Sequence, residues 1–161
     1  PGGSGNTVKY LRILNVMEIP AKAVVDLDFA FKDALRNNLI NANDPDIITC
    51  KTIFAQLAEN HDFELAEDGF PRKGGAITAS AAFAILAGQP EATEPIQNLH
   101  QKLKSHDIWL WKKGAIEEYL GIDGKNEKSW ASYTVRLNEE GCQATIADYN
   151  GMNEMLDWIN Q

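Results

Sequence analysis

The chain has 161 residues and a mass of 17.8 kDa, enough for one folded domain that withdraws about two-thirds of its unfolded surface from water. A hydrophobic content of 44% and a charged content of 24% exclude whole-chain disorder, collagen and coiled-coil arrays. Fifteen basic against twenty-three acidic side chains leave a net charge of −8, which argues against an unaided electrostatic grip on nucleic acid or on an anionic membrane.

Any phosphate such a chain handles has to be reached through bound cations or a neighbouring domain. Cys50 and Cys142 lie far apart, with no CxxC pair and no His cluster beside them. Reduced thiols are therefore expected rather than a disulfide framework or a zinc knuckle. No apolar run approaches the roughly 20 residues that cross a bilayer. The sequence reads as a soluble, cytoplasmic protein without a membrane segment.

The opening Pro1-Gly2-Gly3-Ser4-Gly5-Asn6 has the composition of an expression linker and equally reads as a strand-to-helix turn. Asn6 is a suitable N-cap, and Val8, Leu11, Ile13, Leu14 and Met17 follow at spacings of a mostly buried helix. After Glu18-Ile19-Pro20 turns the chain, Ala21 to Phe29 reads as a central strand built on Val24-Val25. From about 31 to 104 the pattern is a helical insertion of some four elements. They are marked by Phe31, Leu35 and Leu39, by Ile53, Phe54 and Leu57, by the Ala-rich run Ile77 to Leu86, and by Ile96, Leu99 and Leu103. The glycine-bearing loop His61 to Gly75 separates the second from the third.

A second strand, Asp107 to Lys112, is followed by Lys113-Gly114 and a helix from Ala115 to Leu120. Beyond it come a helix with Trp130, Tyr133, Thr134 and Leu137, a short stretch around Cys142 to Ile146, and a terminal helix from Asn150. Met152, Met155, Leu156 and Ile159 form the apolar stripe of that last helix. The whole, residues 1–161, is expected to be one α/β domain, a parallel sheet with a helical insertion and C-terminal helices.

The chemistry concentrates at strand ends. Ligands bind at the carboxyl ends of strands in α/β sheets, and Asp26 and Asp28, two positions apart at such an end, can converge on one hard cation. Magnesium favours oxygen ligands and keeps waters for substrate phosphates. A cation-bearing side chain from a neighbouring strand end would complete the arrangement, and Lys112 and Lys113 stand where the second strand ends. His61, His100 and His106 lack ligand spacing and are expected at surfaces or helix ends. Asp107 reads as a strand-edge cap, and Trp109 and Trp111 as packing residues rather than base-stacking platforms. Arg72-Lys73 reads as an ordinary pair of exposed loop charges.

The segment Trp109-Leu110-Trp111-Lys112-Lys113-Gly114-Ala115-Ile116-Glu117-Glu118-Tyr119-Leu120 resembles the strand, Lys-rich turn and helix near the C-terminus of the overcoming-lysogenisation-defect (OLD) family nucleases. Pro1 to Asn6, Lys9-Tyr10-Leu11 and Val24-Val25-Asp26-Leu27-Asp28-Phe29 resemble that family's Gly-rich loop, following helix and Asp-x-Asp strand, in the same order. The resemblance implies a partial Toprim domain, a Rossmann-like parallel sheet. It implies that Asp26 and Asp28 hold Mg2+ or Mn2+, that Lys113 or Lys112 stabilises the scissile phosphate, and that Glu117 binds metal or orients the turn. A first-turn acid at a helix N-terminus is the plainer reading of Glu117.

The resemblance further implies a DNA substrate and an ABC-type ATPase domain upstream, and it is compatible with a homodimer. Toprim nucleases also carry a glutamate on a first strand ahead of the Gly-rich loop, where this sequence begins. Glu18 lies in the wrong place to replace it, so the fragment alone is expected to be weak or inactive. Two other readings compete. One is a phosphatase of the haloacid-dehalogenase type with Asp26 as nucleophile, although Phe29-Ala30 lacks that family's hydroxyl. The other is a non-catalytic interaction domain.

Overall fold

The β-branched pair Val24-Val25 does form a strand. In the computed structural model, which describes residues 4–72, 74–123 and 126–161, β1 (Ala23–Val25) pairs in parallel with β4 (Ile108–Leu110). Ala23 lies opposite Ile108, Val24 opposite Trp109 and Val25 opposite Leu110. Parallel strands need a long crossover, and here the helical insertion supplies it, so the architecture is α/β. The strand is shorter than the nine residues the pattern suggested, and it is not central: among the described residues only β4 pairs with it, and Val24 is 38% exposed.

Before β1, a single 3-10 turn, Ser4–Asn6, leads into α1 (Thr7–Val16). Asn6 occupies the cap position, but its side chain makes no capping bond. The helix is not mostly buried. Only Val8 is, while Tyr10, Ile13 and Val16, with Met17 beyond the last turn, are exposed. Residues 1–3 of the Gly-rich loop and Lys73 lie outside the described residues.

The insertion begins immediately after β1. The expected helix through Phe31, Leu35 and Leu39 is broken into α2 (Asp28–Phe31) and α3 (Asp33–Arg36), because Lys32 between them leaves helical geometry at φ −121°, ψ −75°. Phe29, Ala30, Phe31 and Ala34 are nevertheless all buried. Then follow α4 (Pro45–Asn60), α5 (Ala79–Ala87) and α6 (Thr93–Lys104).

Between α4 and α5, β2 (Glu64–Leu65) pairs antiparallel with β3 (Pro71–Arg72), and an Arg72–Glu64 ion pair at 2.6 Å spans them. This hairpin delivers Phe63 and Phe70 to the core, where they join Phe31, Phe54 and Phe83. Two-residue strands fall below what alternation of side chains can reveal, which is why the segment reads as loop.

The start of α4 is fixed by Asp44, whose side chain accepts from the Asp46 N–H at 3.0 Å, and by Pro45 in the first helical position. Lys102 on α6 donates to both acids, at 2.6 Å to Asp44 and 2.7 Å to Asp46, and clamps the two helices together. Burial works against the Asp46 charge, but hydrogen bonds from Lys102 and Asn98 outweigh it and hold the carboxyl below its ordinary range.

Residues Ala115–Gln161 form a compact unit separate from Pro1–Gly114. It contains α7 (Ile116–Leu120), α8 (Glu127–Glu140), α9 (Cys142–Thr145) and α10 (Tyr149–Ile159). Leu120, Ile122 and Tyr133 make its core, with Ile116, Trp130, Leu137, Ile146 and Met152 packed around them. Gly121 stops α7 in the left-handed region at φ +71°, which lets the Gly121 and Ile122 N–H groups both reach the Glu117 carbonyl, at 2.8 and 3.1 Å. Asn126 caps α8 by accepting from the Ser129 N–H at 3.0 Å, and Asp148 caps α10 by accepting from the Gly151 N–H at 2.9 Å. The buried stripe of α10 is rotated from expectation: Met155 and Trp158 are buried, whereas Leu156 and Ile159 are exposed.

Candidate metal centre

Parallel pairing in register places the carboxyl ends of β1 and β4 at the same end of the sheet, so Asp26-Leu27-Asp28 and Trp111-Lys112-Lys113-Gly114 leave it side by side. The two turns are joined by main-chain bonds. The Trp111 N–H donates to the Val25 carbonyl at 2.9 Å, and the Leu27 N–H donates to the Gly114 carbonyl at 2.7 Å. The acidic pair and the basic bend, 85 positions apart in the chain, are thus tied at their backbones.

Asp26, just past the strand, and Asp28, the first residue of α2, are each partly exposed. Asp28 accepts from Lys32 one turn on, at 3.1 Å. The Lys112 ammonium donates to Gln97 Oε1 on α6 at 2.9 Å, while Lys113 is exposed. Glu117 belongs to the second unit, in the first turn of α7, with its side chain partly buried and its carbonyl capping that helix.

The candidate donors are partly exposed carboxylate oxygens just past the end of β1, the donor chemistry of a hard divalent ion that retains several waters. Among the described residues no three His, Cys, Asp or Glu side chains converge as a ligand group. Asp26 and Asp28 thus form no ligand group with a third such side chain among the described residues.

Gly114 shapes the bend. Its φ of +121° is one that side-chain-bearing residues rarely adopt, and a Cβ there would lie 3.3 Å from both Cα and Cβ of Ala84 on α5. Gly114→Ala is expected to destabilise the first unit by about 1–3 kcal/mol. Chemical denaturation checks this, and an unchanged midpoint would show that the bend tolerates a side chain.

The other conspicuous residues lie elsewhere or serve packing. Asp107 sits at the opposite end of β4, in the left-handed region at φ +59°, with its carbonyl accepting from the Ala23 N–H at 2.9 Å. There it lines a cleft of about 350 Å³ with Arg12 and His106, away from the acidic pair. Trp109 and Trp111 are buried, with ring centroids 6.4 Å apart. Cys50 is buried and Cys142 exposed, both free thiols, and burial pushes the Cys50 thiol up to about 12.

His100 overturns the expectation of a surface histidine: it is 2% exposed, lies edge-on to Trp109 at 4.6 Å, and meets the Leu110 carbonyl through Nδ1 at 3.1 Å. A carbonyl only accepts, so Nδ1 carries the proton. A buried carboxylate also escaped notice in the sequence. Asp33, 5% exposed, accepts from Arg36 at 3.2 Å, and its Oδ1 lies 3.5 Å from where a side chain on Gly5 would begin. Its only mark in the sequence is an acid next to Lys32 between the apolar residues Phe29-Ala30-Phe31 and Ala34-Leu35.

The fold and the strand-end residues define an α/β protein of partial Rossmann-like type, with an acidic pair beside a lysine-bearing bend. The chain is similar to the Old nuclease of Escherichia phage P2, 26% identical over 164 aligned residues, which take in 98% of this chain and 27% of that protein. The chain thus spans about a quarter of the length of the relative it matches. No family model matches it, and no solved structure does. No helix among the described residues is long and apolar enough to cross a membrane.

Proposed function

We propose that this chain is the metal-binding part of a larger DNA endonuclease of the OLD type, in which a Toprim-like sheet hydrolyses phosphodiesters. The reading is carried by one observation, the direct bonding of the acidic turn to the lysine turn through Leu27 and Gly114. Similarity to the phage nuclease over nearly the full chain supports it independently.

Asp26 and Asp28 would hold Mg2+ or Mn2+. Such an ion supplies a polarised phosphoryl oxygen and a water of lowered pKa. Lys113 or Lys112, both on the bend, would neutralise charge on the phosphate.

The same reading puts an additional strand, bearing the family's glutamate and contributed by the remainder of the larger protein, along the edge of β1 that no described strand covers. The exposure of Val24 and of the α1 residues Tyr10, Ile13 and Val16 favours such cover. An ATPase domain would belong to the remainder of the protein.

The test is a calorimetric Mn2+ titration, with plasmid cleavage by the longer protein that contains this segment. Asp26→Asn combined with Asp28→Asn is expected to abolish both Mn2+ binding and cleavage. Lys113→Ala is expected to cut cleavage by about 10²-fold or more while leaving Mn2+ binding in place. Mn2+ binding that survives the double substitution would overturn the reading.

A further inference from the structure

Asp28, one half of the acidic pair, already has a cation on it: its Oδ2 accepts from the Lys32 ammonium at 3.1 Å. The i, i+4 spacing is that of an ordinary helical ion pair, yet no continuous helix makes this one. α2 ends at Phe31, α3 starts at Asp33, and Lys32 between them stands at φ −121°, ψ −75°. A second contact fixes where the ammonium lies. Nζ sits 5.4 Å from the centroid of the Phe83 ring on α5, within reach of a cation–π attraction. The next residue of α5, Ala84, lies against Gly114 of the lysine bend, where an added Cβ would be 3.3 Å from it. Lys32 thus belongs to the same strand-end neighbourhood as the bend, and its ammonium touches a candidate ligand atom.

The pair can open at little cost. The Lys32 side chain is 39% exposed and that of Asp28 34%, and an ion pair so open to water contributes little to stability. Lysine carries its charge on a flexible four-carbon stem, so the ammonium can swing into water without moving the backbone. While it stays, Oδ2 cannot serve a divalent ion without repulsion between the two positive charges. That repulsion appears as lost affinity for the ion.

We propose that Lys32 is the resident counter-cation of Asp28, which has to leave that carboxylate before a divalent ion can use it, and which thereby holds metal affinity below what the two aspartates alone would give. This rests on the metal reading of Asp26 and Asp28 and goes beyond it by naming the group that an incoming ion displaces. Lys32 has no part in the chemistry on the phosphate. It sets how readily the site is loaded.

The test is a calorimetric Mn2+ titration of the 161-residue chain, with circular dichroism to verify that each variant folds. Lys32→Gln is expected to tighten Mn2+ binding by about tenfold, the scale for removing one partly screened charge beside the ion. Lys32→Arg, which keeps the charge, should bind close to the parent. A lysine that merely braced the turn between α2 and α3 would give the opposite result, with Mn2+ binding unchanged or weakened by Lys32→Gln, and either outcome overturns the proposal.

Displacement is read directly on the parent by acetic anhydride labelling of Lys32, quantified by mass spectrometry with and without Mg2+. Labelling should rise by about twofold or more at saturating Mg2+, as the population with a released amine grows. Labelling indifferent to Mg2+ overturns the proposal even if Lys32→Gln fails to fold. Failure of the metal reading has a separate signature, because Mn2+ binding would then survive Asp26→Asn with Asp28→Asn. Binding that this double substitution abolishes but Lys32→Gln leaves untouched would keep the metal reading and overturn only the role of Lys32.

Discussion

Phe54→Ala is expected to lower the unfolding free energy of the first unit by about 3–5 kcal/mol, the range for truncating a fully buried phenylalanine. Phe54 is 0% exposed and stands at the centre of an aromatic cluster. Its ring meets Phe83 at 5.1 Å, Phe31 at 6.1 Å, and Phe63 and Phe70 at 6.5 Å, all nearly perpendicular. Each edge-to-face contact adds to the transfer energy of burial. The neighbours come from α2, from α5, from the residue just ahead of β2 and from the turn between β2 and β3, so they are held by different backbone elements and cannot all relax into the cavity left behind. Urea denaturation followed by circular dichroism measures the effect. Phe54→Leu should cost markedly less because it retains apolar volume, and a loss below about 1 kcal/mol for the alanine variant would mean that the cluster repacks.

Acidification should expose a second large effect, centred on His100. Burial depresses its pKa from 6.5 to about 4, the positive charge of Lys112 and Lys104 works in the same direction, and the bond to the Leu110 carbonyl opposes them. The folded protein therefore keeps this imidazole neutral at pH values where the unfolded chain protonates it. Stability is at its full value above pH 6.5 and is lost as the pH falls towards 4, by on the order of 3 kcal/mol. His100→Gln, which can still donate to the Leu110 carbonyl, should show a flatter stability curve across that window. Equal slopes for parent and variant between pH 6.5 and 4 would assign the acid sensitivity to other groups.

The residues that announced the fold were those whose pattern depends on near neighbours. Val24-Val25 marked a strand, Ile96, Leu99 and Leu103 marked α6, and Lys113-Gly114 marked the bend, because β-branching, helical spacing and glycine each act locally. The acidic pair and the lysines were legible for the same reason, as charges at the ends of apolar runs. What stayed hidden depended on distant partners. His100 looks like any helical histidine until Leu110 and Trp109 close over it, and the break at Lys32 falls at a good helix former, where local propensity gives no sign of it. The solvent-facing apolar side of α1 was equally hidden, since spacing identifies a stripe but not whether anything covers it.

Ala23 and Ile108 are neighbours in space across 85 positions of chain. Closing a loop of that length carries an entropic penalty that no local contact offsets, and non-local pairing of this kind slows folding. The meeting of the acidic turn with the lysine bend therefore depends on non-local closure across the whole insertion. A nascent or partly unfolded chain would thus hold the acidic pair and the lysine bend apart.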